Sequence, residues 1–281
     1  MSGRHADRPD LLVIGAQKAG TSWLHEMFAD RADCWVPPFK ELHFFDHKFC
    51  PENRRWTRWH VKKGLRDARA RLDARGDLDA ATADWLDRIG TPPFFNGTWY
   101  RGIFAAAPPD RFKVDVTPEY CAIGPDGIAF VAKFLKSARF LYLIRDPLDR
   151  ALSQLRMNVS RKQGKGSPPD LAAWQAAAND PVIASRGDYA AYIPAWDAAF
   201  GADRMLYLPY GRIARDPGGL MAEIEAFTGL PPAPYPRLRD RIHVTDALPV
   251  PKNVRDMLAE RVAPQRAFLD ERFGAGFTRD I

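Results

Sequence analysis

Apolar residues in this chain fall in short unbroken runs closed by a glycine or a charge, and between the runs they recur at helical spacing. Leu11-Leu12-Val13-Ile14, ended by Gly15, reads as a buried strand. After Gly20-Thr21-Ser22, residues Leu24, Met27 and Phe28 stand at i, i+3 and i+4, one face of a helix. The run Phe140-Leu141-Tyr142-Leu143-Ile144, bounded by charge, has the form of a central parallel strand. Asp146 can cap the next helix and Pro147 suits its first turn. Leu148, Leu152, Leu155 and Val159 then draw a single helical stripe. Phe112-Lys113-Val114 and Met205-Leu206-Tyr207-Leu208 are further strand candidates, and helices are predicted at 128–137, 189–200, 218–228 and 252–272. Strands alternating with helices predict an α/β fold. No repeat period divides the chain, so residues 1–281 read as a single domain.

Two stretches break this rhythm. Residues 51–98 carry Trp56, Trp59 and Trp85, a basic run (Arg54, Arg55, Arg58, Lys62, Lys63) and an Ala/Asp/Arg-rich segment, and read as a helical insertion. Residues 161–170 and 231–251 have loop composition. Residues 1–9 are polar and read as frayed.

Composition narrows the class. Apolar residues make up 46% and charged residues 27%, which excludes a disordered or collagen-like chain. The balance of 41 Lys+Arg against 35 Asp+Glu, net +6, is consistent with an anionic ligand. Cys34, Cys50 and Cys121 are too few and scattered for a disulfide framework or a zinc cluster, so no metal is expected. No apolar run approaches the roughly 20 residues of a membrane helix, and Leu11 to Ile14 is too short for a signal-peptide core. A cytoplasmic enzyme without a membrane span is therefore expected.

The chemistry concentrates at Gly15-Ala16-Gln17-Lys18-Ala19-Gly20-Thr21-Ser22, between the first strand and the first helix. Backbone N–H groups and the helix dipole converge there on an anion. The glycine spacing imitates a P-loop, but Thr21 stands where its lysine belongs, and the lysine is Lys18. Gln17 to Leu24 resembles the 5′-phosphosulfate loop of the sulfotransferases that use PAPS (3′-phosphoadenosine 5′-phosphosulfate). The resemblance implies that Lys18 reaches the sulfate and the bridging oxygen. It also implies that Ala19, Gly20, Thr21, Ser22 and Trp23 frame the 5′-phosphate. The fold it implies is a P-loop-like central parallel sheet flanked by helices.

Ile144-Arg145-Asp146-Pro147 through Ser153 resembles the 3′-phosphate motif of the same family, with Arg145 at a strand end and Ser153 two turns into the following helix. Arg150 reads as a helix cation pairing locally. Lys40-Glu41-Leu42-His43-Phe44-Phe45-Asp46 resembles the glycosaminoglycan (heparan-type) branch, which implies Glu41 as general base with His43 and Asp46 in support. His43 is the runner-up, because related enzymes acting on small molecules use a histidine. Asp115-Val116-Thr117-Pro118-Glu119-Tyr120 resembles the family's Thr/Ser-Pro-x-Tyr loop. Lys40, Asp46, Thr117 and Tyr120 are accordingly expected at the acceptor. Val116 stands where heparan-type enzymes often carry a lysine, a departure from a heparan-like acceptor site. Arg186-Gly187-Asp188-Tyr189, with Tyr192 and Trp196, is also family-like, and 237–252, with Arg239, Arg241 or His243, is expected to cover the adenosine.

The reading is a sulfotransferase that takes the sulfuryl group from PAPS, leaves PAP, and needs no metal. A hydroxyl or amine of a carbohydrate or small molecule is the acceptor, and no nucleic acid is expected as partner. The rivals are a P-loop kinase, which would place its lysine at position 21, and a basic nucleic-acid-binding module, which would need a patterned basic-aromatic surface outside 51–63.

Overall fold

The computed structural model describes residues 6–163, 169–242 and 248–281. The chain opens with β1 (Leu11–Gly15), α1 (Thr21–Ala29), β2 (Cys34–Trp35) and α2 (Phe44–Phe49). It continues through α3 (Arg54–Arg75), α4 (Ala80–Gly90), α5 (Gly97–Phe104), β3 (Phe112–Val116), a 3₁₀ turn (Pro118–Ala122) and α6 (Gly124–Phe134). Then come β4 (Arg139–Ile144), α7 (Pro147–Gln163), α8 (Leu171–Ala178), α9 (Pro181–Ser185), α10 (Tyr189–Phe200) and β5 (Met205–Pro209). The rest is helical: α11 (Arg212–Arg215), α12 (Pro217–Thr228) and α13 (Lys252–Thr278).

The five strands are all parallel, in the order β2-β3-β1-β4-β5. Leu12 stands opposite Asp115 on one side and Phe140 on the other, and Leu141 opposite Leu206. From β1 the chain moves to β2 and β3 on one flank, and after β4 to β5 on the other. The carboxyl ends of β1 and β4 therefore mark the switch point of the sheet, where open α/β sheets bind ligands. Leu11 to Ile14 and Phe140 to Ile144 are wholly buried, as their continuous apolar runs require. Asp146 caps α7 by accepting from the N–H groups of Leu148 and Asp149, both at 3.0 Å. The stripe Leu152, Leu155 and Val159 packs with Trp174, Ile183, Val254 and Leu258 in a core of its own.

Several boundaries differ from expectation. The helix expected at 128–137 starts earlier, at Gly124, and ends at Phe134, since Gly124-Pro125 begins the first turn. Helix α7 runs on through Arg161 to Gln163, where a loop was expected, and residues 164–168 of that expected loop lie outside the described residues. Helix α13 extends to Thr278, with a break in helical geometry at Gly274 (φ 77°). Two-residue β2 had no apolar run to announce it. Residues 51–98 fold mainly as α3 and α4, while the described parts of 231–251 form no regular element.

Candidate functional site

The turn from β1 into α1 is held by its neighbours. The N–H of Ala16 donates to the carbonyl of Leu143 at 2.9 Å, tying the loop to β4. A Cβ on Gly15 would lie 2.5 Å from the Tyr142 ring, so glycine is required there. Gly20 caps α1 in the left-handed region (φ 82°) without a side-chain hydrogen bond to the helix start. Ala19 and Trp23 turn their side chains into the core, which leaves the loop's ligand chemistry to backbone N–H groups, Lys18, Thr21 and Ser22. The Trp23 indole N–H reaches the carbonyl of Leu238 at 3.2 Å, and Arg237 pairs with Asp30 (2.6 Å) and Glu26 (2.8 Å). The start of the 231–242 segment is thereby strapped over α1. Arg239 and Arg241 are exposed on it, and His243 lies outside the described residues.

Cations surround this turn. Arg145 gives one Nη to the carbonyl of Lys18 at 2.7 Å and stacks 4.6 Å above the Tyr210 ring. Its Nε is buried with no partner among the described residues. Ser153, buried, shares a face of α7 with Met157 at i+4, whose sulfur lies 3.9 Å from Lys18 Nζ. Burial first, and then the charges of Arg145, Arg161 and Lys40, lower the pKa of the Lys18 ammonium, while Glu41 acts in the opposite sense. The Arg145 backbone is braced by the Tyr189 hydroxyl, which donates to its carbonyl at 3.0 Å.

The second half of the site lies between β2 and α3. Lys40 Nζ donates to Thr21 Oγ1 at 3.2 Å and to Glu41 Oε1 at 2.8 Å, joining the β1–α1 turn to the candidate base. Glu41 (φ 70°) and His43 (φ 52°) occupy the left-handed region, a costly backbone that the surrounding contacts hold in place. Glu41 Oε2 lies 3.6 Å from His43 Nε2, and His43 Nδ1 faces Asp46 at 3.0 Å. Asp46 also accepts from Asn53 at 2.9 Å. Burial disfavours the charge on His43, but Asp46, Glu41 and Glu119 outweigh it and push the imidazole up to about 10. Burial likewise works against ionised Glu41, yet Lys40 and His43 hold its carboxyl well below the usual range. Their exposure differs decisively: the Glu41 side chain is 25% accessible and His43 is sealed at 0%.

Thr117 and Tyr120, expected at the acceptor, are instead fully buried positioning groups. Thr117 Oγ1 accepts from the N–H of Leu42 (3.0 Å) and donates to Asp115 (2.7 Å). The Tyr120 hydroxyl accepts from the N–H of Phe44 (3.2 Å) and donates to Asp115 (3.1 Å). The turn through Pro118 sends both hydroxyls inward to fix the backbone that carries Glu41 and His43. Burial raises the Asp115 carboxyl to about 6, although Thr117, Tyr100 and Tyr120 all donate to it. Asp46, also expected at the acceptor, is fully buried behind His43. Arg150 does pair locally with Gln154 (2.7 Å), but in the interior rather than on a helix surface.

Glu119 and Arg186 join this group without having been singled out. Glu119 accepts from Gln17 at 3.1 Å, lies 3.5 Å from Arg186 and 4.0 Å from His43, and burial followed by the Glu41 charge raises its pKa. Their signal was their place inside two family-like runs, Thr-Pro-Glu-Tyr and Arg-Gly-Asp-Tyr. Arg186 also lines a cavity of about 240 Å³ with Arg55, Trp56, Gln154, Asn158 and Arg161. The Trp56 ring meets His43 edge-on at 4.6 Å, so this cavity adjoins the base group. Glu41, His43 and His60 bring ligand atoms within 4.8 Å of one another, with Glu41 also engaged by Lys40 and His43 by Asp46.

Residues 9–234 match the model of the Sulfotransferase family. The chain belongs to that family. The chain is 22% identical over 232 residues to heparan sulfate glucosamine 3-O-sulfotransferase 3B1 of Homo sapiens, covering 79% of this chain. The 3A1 protein of Mus musculus matches at the same identity. The chain spans about half the length of these relatives, 46% of each. In fold it is similar to a sulfotransferase from Alicyclobacillus acidocaldarius (TM-score 0.63, 20% identity, 94% of this chain and 95% of that one). It is also similar to a sulfotransferase domain from the curacin biosynthetic pathway (TM-score 0.56, 16% identity, 91% and 98%). The sulfotransferase fold expected from the sequence is the fold found. Among the described residues no helix is long and apolar enough to cross a membrane.

Proposed function

We infer that this chain, read as one domain, moves the sulfuryl group of PAPS to a hydroxyl or amine of a carbohydrate or small-molecule acceptor. Glu41 serves as general base and Lys18 stabilises the leaving group. The residues present fit such a nucleotide. Among the described residues the first N–H groups of α1 have no side-chain cap, a buried Arg145 Nε has no hydrogen-bond partner, and cations crowd Lys18. When bound, PAPS supplies an electrophilic sulfur whose bond to the 5′-phosphate oxygen breaks as the acceptor attacks. Lys18 and the loop N–H groups are placed to offset the negative charge that this cleavage leaves. Arg145 and Ser153 are assigned to the 3′-phosphate, where a guanidinium and a hydroxyl give charge-assisted bonds.

The observation that carries the base assignment is accessibility. Glu41, held by Lys40 and His43 well below the usual carboxylate range, keeps part of its side chain accessible, whereas the sealed His43 side chain has no exposed face for an acceptor. Glu41 therefore takes the acceptor's proton, and His43, held by Asp46, steadies the carboxylate. Lys40 links this event to the donor loop through Thr21. Arg186 beside Glu119 and Lys40 beside Glu41 supply cations to this side of the site. Incubation with PAPS and a panel of hydroxyl and amine acceptors, read by mass spectrometry, tests the assignment. A sulfated product formed together with PAP is expected, and PAPS left intact with every acceptor would refute it.

A further inference from the structure

The outer face of α3 is left unexplained by the chemistry above. The helix buries Thr57, Val61, Leu65 and Ala68. On the opposite side Arg55, Arg58, Trp59, Lys62 and Arg66 follow at i, i+3, i+4, i+7 and i+11, all exposed. At 1.5 Å per residue this stripe is roughly 17 Å long. Arg55, Arg58 and Lys62 make no hydrogen bond or ion pair among the described residues, and Arg66 has only a 3.7 Å approach to Asp67, which also pairs with Lys63. Trp59 is 65% exposed, one of two large apolar side chains left so open among the described residues. Its ring stands between the cations of the stripe. Arg55 also lines the cavity, so the stripe runs outward from the cavity's edge.

We propose that this face of α3 docks on an anionic lipid bilayer. The basis is charge complementarity together with the placement of the tryptophan. A row of unpaired cations along one exposed helix face attracts anionic headgroups, and each Lys or Arg near such a surface contributes about fivefold in partitioning. A tryptophan projecting from that row settles at headgroup level, where an apolar ring with one polar N–H is favoured. Here the cations stand singly on a convex helix, and a plane can touch all of them together. Docked in this way, the enzyme would present the edge of its cavity to the headgroups. The docking itself does not depend on the sulfuryl-transfer reading.

Sedimentation with vesicles of phosphatidylcholine alone, and with about a third phosphatidylglycerol, tests the inference at about 0.1 M salt. Partitioning onto the anionic vesicles only, declining as salt rises, is the expected result. Arg58→Glu/Lys62→Glu changes the stripe by four charges and should reduce partitioning by at least about 10²-fold. Trp59→Phe should remove a blue-shifted component of the vesicle-induced fluorescence change. All three substitutions lie on the exposed face, and thermal melting checks that each variant folds. Failure to bind anionic vesicles, or binding that the charge reversal leaves unchanged, would overturn the proposal. So would binding of heparin or duplex DNA without binding of vesicles, which would make the stripe a track for a soluble polyanion.

Discussion

Around the turn from β1 to α1, charge is held by backbone N–H groups, Lys18 and an arginine whose guanidinium rests on a carbonyl and a tyrosine ring. Around Glu41 it is held by a chain of side chains running inward from partly exposed Glu41 to buried His43 and Asp46, standing on a second layer of Asp115, Thr117, Tyr100 and Tyr120. On the proposed reading the first half is a cradle for an anion that arrives from outside. The second carries most of its counter-charges within itself. Removing a donor-side cation should therefore weaken a ligand, whereas removing a base-side group should stop turnover or loosen the fold.

The largest effect expected is at the tip of the base chain. Glu41→Gln should lower kcat by roughly 10² to 10⁴, the usual worth of a positioned base, with PAP affinity by calorimetry unchanged. A parallel loss of PAP affinity would break the division between the halves. On the donor side, Arg145→Ala should weaken PAP by about 10- to 150-fold, the equivalent of about 1.5–3 kcal/mol for charge-assisted bonds. Binding of 5′-AMP should change much less, because it lacks the phosphate assigned to Arg145. Equal losses for the two nucleotides would make Arg145 a loop support alone, acting through its bond to the Lys18 carbonyl.

Smaller effects should separate the second layer from the chemistry. Tyr120→Phe leaves the Phe44 N–H and an Asp115 oxygen each short of a partner, at a cost of about 1–3 kcal/mol in chemical denaturation. Its PAP affinity should stay near wild type. A separate signal concerns pH. His43 is raised above its ordinary 6.5 to about 10, so the folded state holds a proton that the unfolded state releases. That stabilisation is complete below the unfolded value and is lost as pH rises toward 10. Tm should fall over this window, and Asp46→Asn should flatten the fall by removing the strongest charge that favours the proton. An equal slope in the variant would place the proton elsewhere.

How much of this was legible in the sequence follows the same division. The turn from β1 into α1 is eight contiguous residues between an apolar run and a helical stripe, and strand β4 with Arg145 is equally local, so pattern located both elements, and the phosphate roles proposed for them rest on the motifs. The base side is assembled from separate segments. Lys40 to Asp46 were visible as a motif. Gln17, Glu119 and Arg186 meet only after the sheet has brought the β1 and β3 ends together beside the start of α10. The Thr-Pro-Glu-Tyr turn was found, but not its direction. A hydroxyl that serves an acceptor and one that satisfies a buried backbone N–H look the same in sequence, and only the burial of Thr117 and Tyr120 distinguishes them. Strand β2 was missed because two residues are too few to show a period.

The pH dependence of kcat/KM tests the central claim most directly, because it reports the ionisation of the free enzyme's base. With Glu41 held well below the usual carboxylate range by Lys40 and His43, activity should be level from about pH 5 to 8. It should fall on the alkaline side as Lys18, whose pKa is lowered from 10.5, loses its proton. An acid limb within about pH 5 to 8, unchanged in Glu41→Gln and abolished in His43→Ala, would contradict the account and make the imidazole the base.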